Sequence, residues 1–150
     1  MKRLVISLIL LVITTMVGMA QVQSLFEKYS GKSGVTTVYV SPQMLKMLPT
    51  IPVNGHNVKT SDIESVRVLT TSSSDIINQI NAELKAIAKK EGYEIMVSAN
   101  EGSEKTDIYS KTLSNGSSNF IVANFNSSEL NLVFVAGVKS LESLMNIAKM

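Results

Sequence analysis

The stretch from Tyr93 to Gly137 constrains the fold most. It alternates four strand-like runs, Tyr93 to Ala99, Thr106 to Leu113, Asn119 to Phe125 and Leu130 to Gly137, with three short polar connections, "NEGSEK", "SNGSS" and "NSSE". Connections this short cannot carry a crossover between parallel strands, so neighbouring runs must pair antiparallel. The spacing predicts a four-stranded meander.

The strongest helical signal precedes it. Ile76, Ile77, Ile80, Leu84, Ile87 and Ala88 fall on one face at helical spacing, and Gly92 supplies a C-terminal stop. Ser72 to Asp75 has the spacing of a capping box, with aspartate in place of glutamate. Further upstream, Val22, Leu25, Phe26 and Tyr29 mark a short helix that Gly31 closes. Val35 to Val40 and Ile63 to Thr70 are rich in β-branched residues and read as two further strands. Between them, Ser41-Pro42 is an N-cap with proline at the first helical position, opening a short helix through Met44, Leu45 and Leu48. Pro49 and Pro52 end that helix, and Asn54 to Asn57 read as an exposed turn. Ser140 caps a closing helix that carries Leu141, Leu144, Met145 and Ala148. The expected class is α+β: a mainly antiparallel sheet of about six strands with helices packed largely on one face.

The first twenty residues read as an address. Lys2 and Arg3 precede an almost wholly apolar run from Leu4 to Val17, and Gly18-Met19-Ala20 places small residues around a cleavage site. The expectation is a signal peptide over 1–20, cleaved after Ala20, and a single domain over 21–150 in the periplasm or secreted. The apolar run is shorter than the roughly 20 residues that span a bilayer, so no stable membrane anchor is expected after cleavage. The formal charge of +2 comes from 14 Lys and Arg against 12 Asp and Glu. Losing Lys2 and Arg3 would bring the two totals level. A neutral chain offers no electrostatic footprint for nucleic acid. The absence of cysteine excludes disulfides, thiol nucleophiles and cysteine-held metals.

Candidate chemistry is sparse. Gly31-Lys32-Ser33 copies the end of a phosphate-binding loop, but the earlier glycine that loop requires falls at Phe26. The stretch also leaves a helix and enters a strand, the reverse of the arrangement that turns helix N–H groups toward phosphate. No nucleotide is expected. His56 is the one histidine, placed in a turn with no acidic neighbour closer than Asp62, so neither a triad nor a zinc site is supported. Glu83 and Glu91 fall on the polar face of the long helix, Glu101 and Glu104 in a turn, and Asp62 and Glu64 two apart on a strand. No pair stands out as the two carboxylates of an acid–base enzyme. No catalytic residue, cofactor or metal is expected.

Two phrases, "LFEKYSGKSGVTTVYVSPQMLKMLP" and "IESVRVLTTSS", resemble a family of small exported proteins from Bacteroidetes catalogued only as a domain of unknown function. "YEIMVSANEGSEKTDIYSK" fits the same family more loosely. The resemblance implies a Gram-negative envelope protein and supplies no catalytic or binding residues. Lipoprotein members carry a cysteine after the signal. Its absence here points to a soluble periplasmic form.

Three functional classes follow. The leading expectation is a non-enzymatic periplasmic binding or interaction module of the cell envelope. The alternatives are a hydrolase with a carboxylate- or serine-based site, and a structural or sensory envelope accessory protein. The partner would be an envelope protein or a small ligand. Its expected surface is Met44, Leu45, Met47 and Leu48, because four apolar positions in five residues span more than one helix face.

Overall fold

A computed structural model describes residues 22–53 and 56–139. The expected signal peptide over 1–20 and the closing helix from Ser140 lie outside the described residues. The described chain opens in helix α1 (22–29), then runs β1 (Val35–Val40), α2 (Pro42–Met47), β2 (Thr50–Val53), β3 (His56–Lys59) and a 3-10 turn (Thr60–Asp62). It continues through β4 (Ser65–Thr71), α3 (Ser74–Glu91), β5 (Glu94–Glu101), β6 (Glu104–Thr112), β7 (Ser118–Phe125) and β8 (Leu130–Val138).

Six strands form one antiparallel sheet in the order β1-β4-β8-β7-β6-β5. The last four are the expected meander, and β1 and β4 extend it beyond β8. The class is α+β. One side of the sheet carries Leu69, Tyr109, Ile121, Ala123, Leu132 and Phe134, which pack with Phe26 and Tyr29 of α1 and with Ile77, Ile80 and Leu84 of α3. Alternate residues of the same strands, among them Val66, Phe120 and Val135, form a second cluster with Leu45 of α2. A strand turns successive side chains to opposite faces, so the two clusters sit on opposite sides of the sheet. The helices therefore do not share one cluster: α1 and α3 supply the first and α2 the second.

The local details follow from the residues, with four departures from expectation. Gly92 ends α3 at a φ of 81°, a left-handed conformation that glycine reaches without a Cβ penalty. The capping box at Ser72 to Asp75 does not form. Ser73 is the N-cap, without a side-chain bond to the helix, and its N–H goes to Oγ1 of Thr71 at 3.2 Å. Thr50–Val53 and His56–Lys59 pair as two antiparallel strands, with Thr50 opposite Lys59 and Val53 opposite His56. His56 and Asn57 thus belong to a strand and not to the expected exposed turn, whose Asn54 and Gly55 lie outside the described residues. Asp62 ends the 3-10 turn and Glu64 precedes β4, so the two do not share a strand face. Glu101 and Glu104 are the facing end residues of β5 and β6.

Two irregularities shape the sheet. Between β5 and β6 the register shifts between Ile95 and Val97, leaving Met96 without an opposite number. Between β7 and β8 it shifts between Ser118 and Phe120, where Ala136 and Gly137 stand against Asn119. Gly137 has a φ of 66°, the conformation of a bulge glycine.

Candidate functional site

The expected partner surface is built by α2, a helix of only six residues. A helix this short cannot hold itself together in water, so its ends must be fixed. Ser41 caps it, its hydroxyl accepting the N–H of Met44 at 3.2 Å, and Pro42 presets the first turn. At the other end the Thr60 hydroxyl donates to the carbonyl of Leu48, and the Thr60 N–H reaches the carbonyl of Pro49 at 3.3 Å. Thr60 is itself buried, and the carbonyl of Asp62 accepts the N–H of Lys139 at 2.9 Å just past β8, so the 3-10 turn ties the end of α2 to the sheet.

The four apolar residues then divide. Leu45 is 3% exposed and packs with Ile63, Val66, Phe120, Val135 and Val138. Met44 is 51% exposed, Met47 78% and Leu48 39%. Beneath them lies a cleft of about 790 Å³ bounded by α2, the 3-10 turn and the end of β8. Leu45 and Leu48 line it together with polar walls that include Lys46, Glu64, Asn115 and Lys139. Met44 and Met47 stand outside it on the exposed side of the helix. The result is exposed, adaptable apolar side chains beside a cleft with polar walls.

Others of these positions make contacts within the fold. Gly31 to Gly34 join α1 to β1, with the Lys32 ammonium 4.7 Å from the Tyr29 ring centroid. Glu83 receives Lys28 and the Tyr29 hydroxyl, tying α1 to α3. Burial, with the bond to Glu83 second, pushes the Tyr29 phenol above its ordinary pKa. Among the described residues, no group of three or more His, Asp or Glu could hold a metal ion, and no helix is long and apolar enough to cross a membrane.

One polar centre escaped the sequence reading. Asp107, in mid-β6, is 3% exposed and accepts the Ser98 hydroxyl at 2.7 Å, with the Lys105 ammonium at 3.5 Å. The signal that could have found it is alternation. Asp107 and Tyr109 share a face, and Tyr109 lies in the main core.

A family model described as "Domain of unknown function (DUF4252)" matches residues 29–147, and the chain belongs to that family. No curated protein and no solved structure matches the chain.

Proposed function

We propose that this member of the family is a non-enzymatic binding module of the cell envelope, acting in the periplasm or outside the cell once residues 1–20 are removed. The observation that carries the reading is the exposure of Met47 and Met44, 78% and 51%, on a helix fixed at both ends above a cleft. A helix of six residues gains nothing for its own stability from outward methionines. Methionine side chains are flexible and polarizable, and they adapt to an apolar partner surface. The partner is an envelope protein that lays apolar side chains against Met44, Met47 and Leu48.

Site-specific photo-crosslinking in the native host tests this. A photoreactive residue at position 47 is expected to give a discrete adduct with one envelope protein. The same residue at Asn78, an exposed position of α3, is expected to give none. No adduct from position 47, or the same adducts from both positions, contradicts the proposal.

A further inference from the structure

A second cavity, of about 360 Å³, lies far from α2 along the chain, between the C-terminal half of α3 and the β5–β6 hairpin. Its walls divide into two kinds of chemistry. Ala88, Tyr93, Ile95 and Tyr109 make an apolar side, while Lys85, Lys89 and Lys105 bring three ammonium groups against the single carboxylate of Asp107. We propose that this cavity binds a small organic anion, a carboxylate with an apolar body, its head between Lys85 and Lys89 and its body against Ile95 and the two tyrosines.

The bulge in the edge strand creates the site. Ile95 stands opposite Tyr109 and Ser98 opposite Asp107, three positions apart on β5 yet both on the cavity side. Regular alternation would have turned Ser98 away. The extra residue at Met96 restores it, and bulges commonly re-aim a side chain in this way. Ser98 then donates to Oδ1 of Asp107 at 2.7 Å, while Lys105 approaches Oδ2 at 3.5 Å. Asp107 is thereby held by two neighbours inside its own strand pair.

Lys85 and Lys89 are left in excess. They sit one turn apart on α3, both exposed, and neither forms an ion pair among the described residues. A cation in the last turn of a helix is commonly explained by the helix dipole, and Lys89 and Lys90 occupy that turn. Lys85 lies further back, beyond the reach of that effect, and it lines the cavity where Lys90 does not. The apolar side has a matching excess: Ile95 is 58% exposed on an edge strand. Three ammonium groups to one carboxylate among the lining residues, beside uncovered apolar surface, fit a ligand that is anionic at one end and apolar at the other.

Titrating labelled protein with 3-phenylpropionate, followed by amide NMR shifts, tests the assignment. Shifts are expected at Tyr93, Ile95, Ser98 and Tyr109, with the neutral 3-phenylpropanamide producing none. The Lys85→Gln/Lys89→Gln variant is expected to bind about tenfold more weakly or worse, the loss of one charge-assisted hydrogen bond. Ile95→Ser tests the apolar wall separately and is expected to weaken binding with the lysines in place. The proposal is overturned if the carboxylate and the amide bind alike, if the double variant binds as the parent does, or if inorganic phosphate alone gives the same shifts.

Discussion

The side-chain oxygen of Asn119 accepts the backbone N–H of Gly137 at 3.0 Å inside the sheet. The bulge in β8 puts two residues against one and takes that N–H out of the regular ladder. A buried amide without a partner is costly, and the Asn119 side chain, itself 2% exposed, fills the gap. Asn119→Ala is expected to lower the unfolding free energy by about 1–3 kcal/mol, the desolvation penalty of an unpaired buried group. Chemical denaturation measures it. A change under about 0.5 kcal/mol, the usual effect of a surface substitution, would mean the bond does not support the bulge.

Gly137 is the other half of the device. A Cβ there would meet Cβ of Glu64 at 2.6 Å, and its φ of 66° already disfavours any other residue. Gly116 has a φ of 86° with nothing within 4 Å. Both alanine variants carry backbone strain, but only Gly137→Ala adds a collision with the chain beside it. Its melting temperature is expected to fall clearly further than that of Gly116→Ala. Equal losses would show that the backbone beside Glu64 gives way freely.

Leu84 is 2% exposed and packs α3 onto the main cluster. Leu84→Ala is expected to cost about 2–5 kcal/mol by leaving a cavity. A loss below about 1 kcal/mol in urea unfolding would contradict the packing of α3 on the sheet.

Alkaline unfolding should report Tyr93. Burial raises its phenol to about 12 from an ordinary 10.0, while the hydrogen bond with Asn119 acts in the opposite direction. The folded form therefore holds its proton more tightly than the unfolded form. The sign follows: the contribution is complete below about pH 10 and is lost as pH rises from 10 towards 12. The slope from one such group is about 1.4 kcal/mol per pH unit in that window. Burial also raises Tyr109, which steepens the fall. Tyr93→Phe is expected to flatten the dependence between pH 10 and 12, and an unchanged slope would contradict a buried neutral phenol.

Local signals carried much of this fold, and long-range pairings carried the rest. The meander was legible because "SNGSS" and "NSSE" leave no room for a crossover, and α3 was legible from its apolar spacing and Gly92. Nothing local places β4 beside β8, because that pairing joins Val66 to Val135 across most of the domain. The bulges at Met96 and Gly137 were equally hidden, since each exists only as a mismatch between two strands. The same holds for function. Four apolar residues in five announced that α2 must leave some of them outside, but the cleft beneath needs the 3-10 turn and the end of β8, which only folding brings there. Alternation with Tyr109 marks the inward side of Asp107, but its partners are long-range: Ser98 on the neighbouring strand and the end of α3 across the cavity.

The most direct test of the proposed role replaces Met44 and Met47 together by serine and measures stability and partner capture on the same preparation. At 51% and 78% exposure these side chains contribute little to folding. The expected result is an unfolding free energy within about 0.5 kcal/mol of the parent, with loss of the envelope protein that crosslinks from position 47. Retained capture at full stability would contradict a binding role for the α2 rim, and a fall of more than about 2 kcal/mol would return both methionines to the core.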